Sequence, residues 1–221
     1  MKVIKHFETL FDRHTYDEIV SLGTCCHPSF LIRDHRLSKN KKSYPFDWLA
    51  TDSIDSIISA IDNDFEFFLE TTVKKLPPTY DYDSLNIEKY RFVIPHHTKE
   101  RFEIGYARKI NNMLHLFKSP EVKNVLFILE CHPFCRCTNA QAIKLTTVLN
   151  KKNKNNAKHH ILIVNEYEEH EDIIEPLGLE QNCFIVSVKG KGIPTGFNKD
   201  VTSIQLCDER THAVYKEIKL V

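Results

Sequence analysis

Four short apolar-rich runs constrain this chain most. They lie within residues 17–22, 124–129, 160–164 and 183–188, which are apolar-rich and hold only a few polar residues such as Asp17, Glu18 and Ser187. Each has the length of a strand, and a run without polar alternation must be covered on both faces. Helical periodicity falls between them. Ile54, Ile57, Ile58 and Ile61 stand at i, i+3, i+4 and i+7 behind the cap residues Thr51, Asp52 and Ser53. Phe102, Tyr106, Ile110, Met113, Leu114 and Phe117 keep one face of a long helix from Thr98, which Ser119-Pro120 ends, and residues 139–151 read as another helix. Buried strands alternating with helices predict an α/β fold: a mostly parallel, doubly wound sheet with helices on both faces, in three layers.

The other segments are shorter. Residues 30–32 suggest a short helix, 43–49 an ordered loop pinned by aromatic burial, and 64–69 a helical turn. Residues 74–89 read as a loop, 91–94 as a short strand, 168–175 as a short helix and 189–199 as a Gly/Pro loop. Residues 203–206 read as an edge strand and 208–219 as a last helix. One domain over 1–221 is expected, with a motif-bearing half at 17–118 and a strand-helix half at 122–221.

Composition narrows the partners. Lys plus Arg and Asp plus Glu are 30 each, so no net field draws the protein to nucleic acid. No run of about 18 apolar residues exists, which argues against membrane insertion. The N-terminus lacks the pattern of a secretion signal, and seven Cys is an odd number. Reduced thiols in the cytoplasm are the expectation. No P-loop and no Gly-x-Gly-x-x-Gly after a strand is present, and no cofactor is expected. The basic loop at 189–196 reads as solvated, although it could hold a phosphate or act as a lid.

The sharpest local feature is the break of the first strand at Gly23-Thr24-Cys25-Cys26-His27, followed by Pro28 and a helix. In open parallel sheets, sites gather beyond the carboxyl ends of strands. A thiol at a helix N-terminus lies near the positive end of the macrodipole, which favours thiolate. Free N–H groups there can serve as an oxyanion hole. Cys is also among the most frequently buried residues, so Cys25 and Cys26 could simply pack. Candidate bases are His27, His96 and His97, each of which could equally be an exposed or capping His. Asp47 could orient a His or hold its own Pro-Phe-Asp-Trp turn. Glu166 ends the third apolar run and is a further candidate for acid–base work.

A second cluster is Cys131, His132, Cys135 and Cys137. Four ligand side chains in seven residues could bind zinc, but the spacing is not that of a usual knuckle. A reduced, partly exposed loop is the simpler reading, and a resolving thiol for Cys26 is a third.

The segments Ile19-Val20-Ser21-Leu22-Gly23-Thr24-Cys25-Cys26, Leu31-Ile32-Arg33 and Ser43-Tyr44-Pro45-Phe46-Asp47-Trp48-Leu49 together resemble a family described as papain-like cysteine peptidases. Its members carry Ser-Leu-Gly-x-x-Cys, a Leu-Arg helix and Ser-x-Pro-Phe-Asp-Trp, then a His-Asp pair before a long helix with Arg. The resemblance implies Cys26 as the family Cys, His96 as the family His and Asp47 as the family Asp, with Arg108 in the following helix. His97 stands where the acidic neighbour of the His is expected. A buried strand directly before the Cys is not a papain arrangement, so thiol–imidazole chemistry carries over without the papain fold.

The implied function is a cysteine peptidase or other thiol-nucleophile hydrolase or transferase working through an acyl-thioester. Its substrate would be peptide, acyl or glycan-linked. One alternative is a sugar or nucleotide-sugar transferase using Asp47 or Glu166. Another is a non-catalytic binding module with its cysteines in the core.

Overall fold

The computed structural model describes residues 16–37, 42–74, 84–94, 99–131, 135–167, 173–177 and 182–189. A five-stranded sheet organises them. It contains β1 (Glu18–Ser21), β5 (Asn124–Cys131), β6 (Lys158–Tyr167), β7 (Ile173–Leu177) and β8 (Cys183–Lys189), in the order β1-β5-β6-β8-β7. The first four strands in that order are mutually parallel and β7 is antiparallel to β8. Four helices belong with it: α1 (His27–Asp34), α2 (Ile54–Asp62), α3 (Lys99–Leu116) and α4 (Asn139–Lys152). The fold is therefore mixed α/β with a mostly parallel sheet, as the apolar runs predict.

Burial explains why those runs do not alternate. Every residue from Val125 to Cys131 is buried, so β5 is covered on both faces. The pleat still sorts the side chains. Val20, Val125, Phe127, Leu129, Cys131, Ile161 and Ile163 join the main hydrophobic cluster. Ile19, Leu126, Ile128, Leu162 and Val164 are buried outside that cluster, in the register of the opposite face.

Helix ends follow from side-chain caps. Ser53 accepts a hydrogen bond from the Ser56 N–H at 3.2 Å and starts α2, whose Ile54, Ile57, Ile58 and Ile61 are buried. Thr138 and Gln141 form a reciprocal capping box at the start of α4. Asp55 and Asp62 of α2 pair with Lys144 and Lys151 of α4 at 3.1 and 2.7 Å. These pairs are exposed and contribute little beyond orientation. No helix among the described residues is long and apolar enough to cross a membrane.

Three segments differ from the sequence expectation. Within residues 74–89, expected as a loop, Ser84–Ile87 forms β3 and Glu88–Tyr90 a 3-10 turn. β3 pairs antiparallel with β2 (Thr72–Lys74) and β4 (Phe92–Ile94) in a small second sheet. It is four residues long, and only Leu85 and Ile87 mark its face toward the hydrophobic cluster. Residues 64–69 are successive turns rather than helix. Asp64, Phe65 and Phe67 adopt left-handed φ of 51°, 62° and 40°, while Phe65 and Phe68 reach the core. Finally, Ile173–Leu177 is strand β7, not helix. It lies at the end of the strand order, where Pro176 is tolerated. Residues 203–206 and 208–219 lie outside the described residues.

The Pro-Phe-Asp-Trp segment is an ordered turn anchored by an aromatic side chain. The anchor is Phe46, fully buried among Phe65, Phe68 and Phe92. Beyond it Ala50 pairs with Val93 of β4, and the Thr51 N–H donates to the Thr24 carbonyl at 3.0 Å. The turn is thus wedged between the small sheet and the end of β1.

Candidate active site

β1 and β5 end side by side, and their ends carry the polar groups. Thr24 is the clamp. Its N–H and its hydroxyl both donate to the Glu130 carbonyl, at 3.2 and 2.9 Å. Gly23 precedes it for steric reasons. A Cβ there would lie 2.7 Å from the Cys25 carbonyl oxygen and 2.7 Å from Pro28 Cγ. The turn is too tight for any side chain.

The turn delivers Cys25, Cys26 and His27 to the start of α1. Both thiols are half-buried. Cys26 is the N-cap, and its carbonyl accepts the Phe30 N–H at 3.2 Å. The N–H groups of the first helical turn have no partner within the helix and point toward whatever occupies its mouth. His27 is the first helical residue. Its Nδ1–H donates to Oε1 of Glu130, whose side chain is completely buried at the end of β5. A carboxylate removed from water is costly unless paired, and the imidazole provides that pairing. With Nδ1 committed to Glu130, the basic nitrogen of a neutral His27 is Nε2. The His27 side chain keeps 16% exposure, so the ring reaches the surface.

Asp47 is arranged differently. Its Oδ1 accepts from the Ser29 hydroxyl at 3.1 Å. Its Oδ2 accepts from the Ser43 hydroxyl at 2.6 Å and the Tyr44 N–H at 2.7 Å. Of the two roles open to it in the sequence, these bonds belong to the one that holds the turn, and they extend it by tying the turn to α1. Burial raises the Asp47 pKa, and the three donors together with Lys109 act in the opposite direction. Between α1 and this turn lies a cleft of about 430 Å³, lined by Ile19, Ser29, Ile32, Arg33, Asp47 and Trp48 among others.

The remaining candidates disperse. Arg108 is exposed on α3. Glu166 stands near the end of β6, in register with Val188. His96, His97 and His132 lie outside the described residues. Cys131, Cys135 and Cys137 are buried members of the hydrophobic cluster, and Cys183 joins them. Of the loop expected at residues 131–137, Arg136 is exposed while the three thiols face inward, and residues 132–134 lie outside the described residues. Asn165 explains the burial: it accepts the Cys137 N–H and donates to the Cys137 carbonyl, both at 3.0 Å, and draws the loop inward. Desolvation pushes the Cys131 thiol well above its ordinary range, Cys135 and Cys183 to about 11 and Cys137 to about 12. Among the described residues no group of three or more His, Cys, Asp or Glu could hold a metal ion. The pleat also puts Cys131 and Glu130 on opposite faces of the sheet, so Cys131 is turned away from His27.

Two residues of this neighbourhood take on a role only in the structure. Glu130 closes an apolar run, and a carboxylate at the carboxyl end of a buried parallel strand was the available signal. Lys109 is buried on α3 with Nζ 3.9 Å from the centre of the Tyr106 ring. Desolvation lowers its pKa to about 8, against the attraction of Asp47. Its spacing, three residues after Tyr106 and four before Met113, puts it on the apolar stripe, and a Lys at such a position was the available signal.

Fold and site together define a mixed α/β protein with a thiol pair at a strand–helix junction and a carboxylate-bound imidazole beside it. Residues 17–89 match the family described as "Putative papain-like cysteine peptidase (DUF1796)". The matched segment carries Cys25, Cys26, His27 and Asp47, and ends before His96. No curated protein and no solved structure matches the chain.

Proposed function

We propose that the chain is a thiol-nucleophile hydrolase or acyltransferase of the cysteine-peptidase kind, with Cys26 as nucleophile and His27, oriented by Glu130, as its acid–base partner. The observation that carries this reading is the pairing of His27 Nδ1 with the buried Glu130 carboxylate, next to Cys26 at the mouth of α1. A third group that fixes the tautomer and stabilises the imidazolium is what a thiol–imidazole pair needs.

In the first step His27 Nε2 takes the Cys26 proton, and the thiolate attacks an acyl carbon. A C–S bond forms while the carbonyl π pair moves to oxygen. The N–H groups of Cys26 and His27 hold that oxyanion. Collapse breaks the bond to the amine or alkoxide, which leaves with the proton from His27. Water or another acceptor, deprotonated by His27, then attacks the thioester and releases Cys26. Asp47 acts as a positioning residue through Ser29 and the turn.

Reaction with iodoacetamide, followed by intact mass across pH, tests the nucleophile. Cys26 is expected to alkylate faster than free cysteine near neutral pH, and Cys26→Ala to abolish the fast phase. Equal rates for Cys26 and free cysteine would remove the basis of the proposal. His27→Gln and His96→Gln separate the candidate bases. Loss of the fast phase in the second variant alone would make the His27–Glu130 pair structural.

A further inference from the structure

The cleft of about 430 Å³ between α1 and the Pro-Phe-Asp-Trp turn is a site in its own right. Cys25, Cys26 and His27 are not among its lining residues, so the thiol chemistry does not account for it. Its size falls in the lower part of the range of small-molecule sites and suits a compact ligand.

Charge is unevenly matched around it. Asp47 Oδ1 accepts from the Ser29 hydroxyl, and Oδ2 from the Ser43 hydroxyl and the Tyr44 N–H. Lys42 Nζ and the Tyr44 hydroxyl both donate to the buried Glu18 carboxylate, at 3.1 Å each. Arg33 is held differently. Its contact with Asp34 uses Nε at 3.7 Å, with both side chains exposed, and has little strength. Its guanidinium sits 4.8 Å over the Phe30 ring, which meets Trp48 edge-on at 4.9 Å. Stacking orients a fork of donors that fits a phosphate.

Hydroxyls complete the pattern. Ser29 and Ser43 give their hydrogens to Asp47 and keep oxygen lone pairs as acceptors. Ser21 accepts the Gly23 N–H at 3.2 Å and keeps its own hydrogen to donate. The half-buried Trp48 lines the same cleft and offers apolar surface. Donors and acceptors beside an apolar wall match a ring that carries hydroxyls on its rim and C–H bonds on its face.

We propose that this cleft binds a sugar phosphate, with the phosphate on the Arg33 guanidinium and the ring against Trp48, among the Ser21, Ser29 and Ser43 hydroxyls. The site does not depend on Cys26 being a nucleophile.

Trp48 is the single Trp of the chain, so its emission reports on this cleft. The full chain is titrated with glucose 6-phosphate, glucose and inorganic phosphate, followed by Trp48 emission and by calorimetry. The ester is expected to bind saturably, and glucose and inorganic phosphate each at least about tenfold more weakly, since each lacks half of the contacts. Arg33→Gln should weaken the ester about tenfold, and Arg33→Lys should recover part of that, because Lys keeps the charge without the fork. The exposed Arg33 side chain makes an unchanged urea midpoint the expectation for both variants. Lys42 is unsuited to the test, because its loss would strand the buried Glu18 carboxylate. No saturable binding by either readout up to about 10 mM, equal binding of inorganic phosphate, or undiminished affinity in Arg33→Gln overturns the site. None of these results bears on the iodoacetamide reactivity of Cys26, so the two proposals fail separately.

Discussion

The tripeptide Cys-His-Pro occurs twice, at Cys26-His27-Pro28 and at Cys131-His132-Pro133, each at the end of a strand. The two strands, β1 and β5, are parallel neighbours. The outcomes diverge at the first residue. Gly23 breaks β1 before its copy, so Cys26 caps α1 and stays half-buried. β5 has no such break and runs on, so Cys131 is a buried strand residue with its thiol held protonated by desolvation. The two copies teach that the reactive character of such a motif lies in the turn that precedes it. One glycine decides whether a thiol meets solvent and a helix terminus or the core.

The contrast can be broken or sharpened in several ways, beginning with the largest effect. Under native conditions, among the described cysteines, Cys25 and Cys26 should be the thiols that react, with Cys131, Cys137 and Cys183 protected by roughly a thousandfold or more, since reaction there needs opening of the core. Peptide mapping after a timed pulse of iodoacetamide measures this. Comparable labelling of Cys131 would erase the distinction. Next, Glu130→Gln should slow Cys26 acylation by about a hundredfold while leaving its pattern of labelled peptides unchanged, because the imidazole loses the group that fixes its tautomer. A stability loss with an unaltered pH–rate profile would reduce Glu130 to packing.

Smaller effects concern stability. Cys131→Ala should cost about 2 kcal/mol in urea unfolding, the usual result of a cavity in a close-packed core, whereas Cys26→Ala should fall within about 0.5 kcal/mol of the parent. The reverse order would mean that the thiol at the turn is the structural one.

His159 extends the comparison to another core group. It packs between Phe117 and Phe127, and desolvation lowers its pKa from 6.5 to about 4. A native pKa below the unfolded value means that protons bind the unfolded chain more tightly. The stability is therefore complete above about pH 6.5 and is lost as pH falls toward 4. The loss is about 3 kcal/mol over that window at 1.36 kcal/mol per unit. Comparing urea midpoints of the parent and His159→Phe across this range checks it. The variant should be flatter, and parallel curves would refute the assignment.

How much was legible follows from where each signal is encoded. β1, β5, β6 and β8 announce themselves because strands covered on both faces need apolar-rich runs. α2 does so because its four Ile residues share a stripe and Ser53 caps it. β3 and β7 were missed because each is defined by an antiparallel partner rather than by its own composition. At the site, Gly23-Thr24-Cys25-Cys26-His27 stood out, since a Gly between an apolar strand and a Pro-started helix marks a tight turn at the strand's carboxyl end. The partnership of His27 with Glu130 did not, because 103 residues separate them.

The chain's order of residues alone settles local matters: which segments must be buried, where helices begin, and that the strand breaks at position 23. These follow from periodicity, capping and backbone sterics within a few residues. The tertiary structure decides which polar groups meet. Parallel pairing of β1 with β5 brings Glu130 to His27, Asn165 pulls Cys137 inward, and Ser29 and Ser43 claim Asp47. Those meetings depend on strand order and register, which emerge only when distant segments bury their surfaces against one another.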